Sequence, residues 1–405
     1  MLDGKAIGII TSGGDCGGLN AVIKGAASMA LAYGITPYVI LNGYAGLYNL
    51  HESENILELN KDRLDNISSL KAGSQAGNTR VKISKINDED KYKKIIEGLN
   101  KFNIGALVIS GGDDTGSVVV DLDGNGISCV HVPKTMDLDL HSYSVGGDSA
   151  VNRIAQYVEE LKTTGNSHNR IMAIEVFGRY AGHTAFRGGI AADADCILIP
   201  EVPVDFDIIY EDLKKNFMRR VRSSEYKSGT YTIVAAEGIT DETGDFITDG
   251  SVKKDAFGHK KLSGIGKYIR QQLTERIDSD ESLRDFMQEQ GLFISDMNEV
   301  PVVREMVLTY LVRSGSTSAL DANFGNETGA GAVVLLNNSI SGVTVTGVKG
   351  GKVQYIPTST AIKQRHVSQE MVAFHEKTGV CFGRKPVEYR PEHEKLERAD
   401  WSYFE

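Results

Sequence analysis

Short apolar runs recur along the chain at Ile7-Gly-Ile-Ile10, Tyr38-Val-Ile-Leu41, Ala106-Leu-Val-Ile109, 127–132, 171–176, 196–199 and 231–236. Each has strand length and a strong β-branched content, and each ends at a glycine or a polar residue, which is the pattern of a buried strand. Between them lie segments of helical period. Residues 21–33 carry apolar side chains at helical spacing and stop at Gly34, a C-cap signal, and residues 151–162 show a second amphipathic pattern. Strands alternating with helices predict an α/β fold with mainly parallel sheets and right-handed crossovers.

In such folds ligands bind beyond the carboxyl ends of strands. Polar turns follow the apolar runs at that position: Thr11-Ser-Gly-Gly-Asp15, Gly111-Gly-Asp-Asp114, Pro133-Lys-Thr135, Phe177-Gly-Arg179 and Glu237-Gly238. Gly111 and Gly112 let backbone approach a phosphate closely. Asp113 and Asp114 suit hydrated magnesium, which binds one or two carboxylates together with substrate phosphate oxygens. Asp137 and Asp139 of Pro133-Lys-Thr-Met-Asp-Leu-Asp139 could supply a general base. Gly-Gly-Asp-Asp also occurs in ordinary surface turns, so the company it keeps decides its meaning.

The 405 residues, 41% hydrophobic and 24% charged, suffice for two or three domains with substantial cores. No apolar run approaches the roughly 20 residues that span a bilayer, and the N-terminus lacks a basic-then-apolar signal pattern, so a cytoplasmic protein without membrane attachment is expected. A net charge of -10 disfavours a nucleic-acid footprint and leaves anionic small substrates to a local arginine cluster. Cys16, Cys129, Cys196 and Cys381 lack zinc-site spacing and are expected as core packing or reduced thiols. Two regions look like additions: an acidic stretch at about 278–299, expected to form a solvated helical excursion, and a charged tail from Lys363 that ends in Trp401-Ser-Tyr-Phe404, expected to dock on the surface.

Taken in order, these turns resemble the phosphofructokinase family. Thr11-Ser-Gly-Gly-Asp-Cys-Gly-Gly-Leu-Asn-Ala21 is similar to its first-strand phosphate loop and Asn42-Gly-Tyr-Ala-Gly-Leu47 to its second-strand turn. Residues 73–80, 111–114, 133–139, Ser167-His-Asn-Arg170, Glu175-Val-Phe-Gly-Arg179 and Pro200-Glu201 follow in matching order, so the likeness runs from residue 6 to about residue 340. It implies two Rossmann-like three-layer domains: 1–140 with about 314–362 for the phosphoryl donor, and 141–313 with about 363–405 for the sugar phosphate.

It also implies roles. Asp137 would take the proton from the sugar 1-hydroxyl, with Asp139 supporting its electrostatics, Thr135 orienting the reacting group and Asp113 on Mg2+. Arg179 and Arg80 would neutralise the transferring phosphoryl group. Gly13, Gly14, Gly112, Asp114, Thr115 and Lys134 would complete the donor site. Arg170, Arg304, Arg313 and Tyr310 would grip the sugar 6-phosphate, with Phe177, Gly178 and Glu237 around the sugar. Arg170 and Arg304 fall where the family reaches into a neighbouring subunit, which implies a homodimer or homotetramer.

ATP-using members usually carry glycine in place of Asp114 and of Lys134, whereas the pyrophosphate-using members are similar to this chain at both. A carboxylate about 4 Å from a nucleotide α-phosphate costs of order 4 kcal/mol at an effective dielectric near 20. Pyrophosphate and fructose 6-phosphate are therefore the expected substrates, fructose 1,6-bisphosphate and phosphate the products, in glycolysis or gluconeogenesis. An ATP-dependent enzyme and a non-catalytic sugar-phosphate-binding subunit are the alternatives. The chain departs from the family in having Leu138 where asparagine is usual, Phe177 for methionine and Arg313-Ser-Gly for Arg-Gly-Gly. Leu138 removes an amide close to the base, and Phe177 keeps an apolar wall but narrows it, which suits a different sugar acceptor such as a seven-carbon sugar phosphate.

Overall fold

The computed structural model describes residues 2, 4–241, 243–247, 262 and 264–397. Eleven strands occur among them: β1 (Ala6–Thr11), β2 (Pro37–Ile40), β3 (Ile56–Glu58), β4 (Ile104–Gly111), β5 (Cys129–Pro133), β6 (Ile171–Val176), β7 (Cys196–Leu198), β8 (Tyr231–Ala236), β9 (Val303–Val307), β10 (Val343–Lys349) and β11 (Lys352–Pro357). They form a seven-stranded sheet of order β11-β10-β5-β4-β1-β2-β3 and a four-stranded sheet of order β7-β8-β6-β9. Only β3 and β11, at the two edges of the larger sheet, pair antiparallel. All other pairings are parallel, as the alternation of apolar runs and helical segments predicts.

The side-chain period of a strand explains why each sheet is covered on both faces. In β4, Ala106 and Val108 pack with Val22 and Ile23 of helix Leu19–Ala32, while Leu107 and Ile109 pack the opposite way with Leu122 of helix Asp113–Gly124. In β6, Ile171 and Ala173 face one helical layer, and Met172, Ile174 and Val176 face the other. The latter core also takes in Cys16, Leu19 and Met136 from the ends of the larger sheet, so apolar packing continues from one sheet to the other.

Every apolar run is a strand, but four strands escape the pattern. β3 and β11 are exposed edges, and β9 and β10 are partly exposed, so none reads as a continuous apolar run. The first predicted helix ends at Ala32, with Gly34 beyond it at φ 70. The second is longer than its apolar pattern, spanning Gly147–His168. The acidic stretch corrects the expectation of a solvated excursion. Helix Glu281–Glu289 buries Leu283, Phe286 and Met287 in the core of the smaller sheet, and only its other face carries the charge.

The four cysteines are free thiols, three of them buried. Cys381 forms an isolated parallel bridge with Cys196, which adds the C-terminal segment to the β7 edge. Phe382 beside it stacks on Phe186 with centroids 5.8 Å apart. Residues 401–404, the aromatic terminus, lie outside the described residues.

Helices Leu19–Ala32 and Ala319–Asn337 cover one face of the larger sheet with their backbones unusually close. A Cβ at Gly25 would fall 2.0 Å from the Asn326 carbonyl oxygen. Gly→Ala inside a helix ordinarily gains roughly 0.5–1 kcal/mol. Gly25→Ala should reverse that sign through overpacking and lose about 2 kcal/mol in denaturant titration.

Candidate active site

The carboxyl ends of β1, β4 and β5 in one sheet and of β6 and β8 in the other meet at a cleft of about 660 Å³. Its wall holds Gly13, Gly14, Arg80, Gly112, Asp113, Asp114, Thr115, Lys134, Thr135, Asp137, Asp139, Phe177, Arg179, Glu237, Tyr310 and Arg313. These are sixteen of the residues singled out in the sequence, drawn from seven separate chain segments. Three others lie elsewhere. Gly178 is in the tight turn after β6, where an added Cβ would meet the Ala181 carbonyl oxygen and Ala236. Arg170 precedes β6 at its opposite end and donates to Thr164 Oγ1 at 3.3 Å. Arg304 is exposed on β9, an edge of the smaller sheet.

The end of the cleft expected to take the phosphoryl donor is built from loops that bond to one another. Gly13 N donates to the Thr79 carbonyl at 3.2 Å, which brings the Arg80 loop against the first-strand turn. At Gly14 a Cβ would sit 2.3 Å from Arg313 Nη1, so a larger residue there would displace that guanidinium. Arg313 also donates to the Asp15 carbonyl at 3.1 Å and lies over the Phe177 ring, 4.2 Å from its centroid. Phe177 thus supplies a face for guanidinium stacking that methionine lacks. Arg313, expected on the sugar phosphate, touches both the first-strand loop and Phe177.

Lys134 is 5% exposed and its Nζ donates to the Gly14 carbonyl. Burial holds its pKa below the ordinary lysine value, with Asp15 and Asp137 among the groups favouring its charge. Asp113 and Asp114 open helix Asp113–Gly124, where the helix dipole favours negative charge. Asp114 is paired with Lys82 at 3.2 Å, a partner that the motif reading missed because Lys82 lies outside the quoted segment. Asp15, Met136, Glu175 and Tyr180 also line the cleft without having been assigned roles, although Asp15, Met136 and Glu175 stand inside the quoted motifs. Beneath the glycine turn, buried His131 donates from Nε2 to the Gly111 carbonyl at 2.8 Å. Desolvation lowers its pKa to about 4 and keeps it neutral.

Beyond Lys134 the chain makes a compact turn. Thr135 Oγ1 accepts from Asp137 N at 3.1 Å and donates to Asp139 Oδ1 at 3.2 Å, tying the backbone of one aspartate and the carboxylate of the other to one hydroxyl. Leu138 between them is buried with φ 56, a left-handed conformation that costs a non-glycine residue roughly 1–2 kcal/mol. Asp137 Oδ1 is buried and makes no hydrogen bond. Desolvation raises the Asp137 pKa against the pull of Arg313 and Arg179. Desolvation followed by repulsion from Asp137 and Asp113 pushes Asp139 up to about 7, and desolvation with repulsion from Asp137 pushes Glu237 to about 8.

No group of three or more His, Cys, Asp or Glu among the described residues could enclose a metal ion. The donor set suits magnesium nonetheless, since Mg2+ typically keeps its waters and uses one or two carboxylates plus phosphate oxygens. The orphaned Asp137 oxygen and the half-buried Asp113 face the same cleft.

Residues 6–336 match the family model described as Phosphofructokinase. The chain belongs to the phosphofructokinase family. It is 30% identical to a pyrophosphate–fructose 6-phosphate 1-phosphotransferase of Dictyoglomus thermophilum, over 93% of this chain and 99% of that one. It is 32% identical to ATP-dependent 6-phosphofructokinase 2 of Clostridium perfringens, over 93% and 98% of the two chains. Among solved structures, the pyrophosphate-dependent phosphofructokinase of Marinobacter aquaeolei superposes with a TM-score of 0.68 at 20% identity, over 97% of this chain and all of that one. That last likeness confirms the α/β fold. Family membership makes the chain a phosphoryl-transferring enzyme of glycolysis acting on fructose 6-phosphate, and relatives of both donor types leave the donor to the site itself. No helix among the described residues is long and apolar enough to cross a membrane.

The raised carboxyl pKa values carry a stability consequence. A carboxyl with a folded pKa above its unfolded value destabilises the fold as pH rises from about 4 through about 7, because the unfolded chain then releases its proton first. Asp139→Asn should therefore raise the unfolding midpoint at pH 8 by an amount equivalent to roughly 2–4 kcal/mol. At pH 4 it should change little, as thermal melts in chelator would show.

Proposed function

We propose that the protein transfers a phosphoryl group from pyrophosphate to the 1-hydroxyl of fructose 6-phosphate, reversibly, giving fructose 1,6-bisphosphate and phosphate. The observation that carries this reading is the burial of Lys134 against the Gly14 carbonyl on the wall shared with Asp114 and the two raised aspartates. A compact, highly charged donor gains from a dehydrated ammonium at the floor of its site, whereas a nucleotide needs room for its α-phosphate and nucleoside beyond the transferring end. Asp114 lines the cleft, and in this reading its carboxylate takes up that room. Its pairing with Lys82 softens the repulsion without removing the bulk.

In this reading Asp137 takes the proton of the sugar hydroxyl as its oxygen attacks phosphorus, and returns it in the reverse direction. A carboxyl whose pKa lies above the usual range serves both directions near neutral pH. Arg179 and Arg80 stabilise the charge on the transferring group, and Glu237 accepts from sugar hydroxyls. Asp113, with Asp139 close by, would hold Mg2+, which when bound neutralises phosphate oxygens and favours in-line transfer. The donor side corresponds to residues 1–140 and about 314–362, the sugar side to 141–313 and about 363–405. Arg170 and Arg304, remote from this chain's own cleft, fit a site completed by a neighbouring subunit in a homodimer or homotetramer. We place the enzyme in the cytoplasm, with no nucleic-acid or membrane partner.

The donor is tested by steady-state assay with pyrophosphate and with ATP, on wild type and on Asp114→Gly/Lys134→Gly. Wild type should turn over with pyrophosphate alone, and the double variant should lose pyrophosphate activity and gain ATP activity. Equal or better use of ATP by wild type would overturn the assignment. Asp137→Ser should lower kcat by roughly a thousandfold or more with unchanged folding, judged by circular dichroism and thermal melt. Unchanged turnover would move the base role to Asp139.

A further inference from the structure

The turn that carries both aspartates has a backbone conformation its own sequence does not favour. Of the described non-glycine residues at positive φ, Leu138 is the only apolar one, and most of the others are asparagine or aspartate. Those two types enter the left-handed region readily because a short polar side chain bonds locally, and leucine has no such compensation. Thr135 Oγ1 links the flanking residues from inside the turn, but it bonds to Asp137 N and Asp139 Oδ1 and leaves the Leu138 and Asp139 carbonyls free.

Those two carbonyls are held from outside, by a segment more than two hundred residues away. Arg365 N donates to the Asp139 carbonyl at 2.7 Å, and Arg365 Nη2 donates to the Leu138 carbonyl at 3.3 Å. The pairing continues through a bridge between Leu140 and Gln364 and through His141 N to the Ala361 carbonyl at 3.1 Å. The other side of the same segment is fixed to the smaller sheet. The Arg365 carbonyl accepts from His183 Nε2 at 3.2 Å, Val367 N donates to Glu201 Oε1 at 2.9 Å, and His366 Nδ1 donates to the Tyr180 carbonyl at 3.0 Å. The same Glu201 carboxylate accepts from Gly182 N at 3.1 Å. Tyr180 directly follows Arg179.

We propose that Arg365 is a positioning residue for phosphoryl transfer: residues 364–367 clamp the Asp137-Leu138-Asp139 turn in its left-handed form and tie it to the loop that carries Arg179. The clamp spans the two sheets, so it sets the separation between the group that removes the proton and the guanidinium that meets the phosphoryl charge. Displacement of a catalytic group by about 1 Å can cost on the order of a hundredfold in rate. Arg365 is absent from the cleft wall, so its removal alters alignment and leaves the binding surfaces in place.

The inference rests on Asp137 acting as the base, and the test separates the two. Arg365→Met keeps the aliphatic stem and the backbone donation to the Asp139 carbonyl, and removes the guanidinium donor to the Leu138 carbonyl. It should lower kcat roughly tenfold to a hundredfold, with KM for sugar phosphate and for the phosphoryl donor within about twofold and the melting temperature nearly unchanged. Arg365→Lys should recover part of the loss. Adding Leu138→Asn to Arg365→Met should recover part as well, because asparagine adopts the left-handed turn without a clamp, and a purely structural role for Arg365 would not produce that rescue. Wild-type kcat in Arg365→Met, a loss expressed mainly in KM or melting temperature, or no recovery with Leu138→Asn would each overturn the clamp. Asp137→Ser assayed alongside keeps the failures apart: full turnover there would sink the base assignment, whereas loss of turnover there with an unaffected Arg365→Met would sink the clamp alone.

Discussion

Asp113, Asp137 and Asp139 carry like charges into one partly dehydrated cleft, where repulsion is much stronger than in bulk water. The surrounding architecture can be understood as the means of tolerating that arrangement. Lys134, Arg179 and Arg313 lower the cost from three sides, and the Thr135 hydroxyl bonds to the backbone of one aspartate and the carboxylate of the other. Desolvation, added to that repulsion, keeps the Asp137 and Asp139 pKa values raised, and one buried Asp137 oxygen makes no hydrogen bond. Such local instability is common at catalytic centres, where groups are held ready for charges that arrive with the substrate.

Two parallel sheets make the arrangement possible. Parallel strands end in turns on one side, and two sheets placed with those ends facing each other concentrate many short loops around one volume. Each sheet contributes a different chemistry. The larger supplies glycine turns, a helix N-terminus and Lys134, and the smaller supplies Arg179, Phe177 and Glu237. The apolar core that runs from Cys16 and Met136 to the β6 side gives the two loop sets a common base. The C-terminal segment at 361–367 adds a polar link across the same junction.

Buried parallel strands must be apolar on both faces, so β1, β4, β5, β6 and β8 stand out as runs in the sequence. The edge strands β3, β9 and β11 face solvent and need no such run, which is why they were hidden, whereas the edge strand β7 is covered by the Cys381 segment and is apolar throughout. The charged surface of helix Glu281–Glu289 similarly concealed Leu283, Phe286 and Met287, whose spacing is helical but whose neighbours are acidic. Within the site, residues in contiguous motifs were legible because strand ends bring their turns into the cleft automatically. Lys82 was not, because its importance comes from a side-chain partner in another segment.

By itself, the sequence determined the α/β class, the buried strands, the glycine turns at their ends and the chemical types gathered there, all through local period and motif order. Tertiary structure alone decided which carboxylates share a dehydrated space, that Arg313 lies between Phe177 and the first-strand loop, and that Leu138 takes a left-handed conformation bonded to Arg365. The physical reason is the range of the forces involved. Backbone propensity and hydrophobic period are properties of neighbouring residues, whereas desolvation, charge coupling and long-range hydrogen bonds exist only once distant segments are packed together.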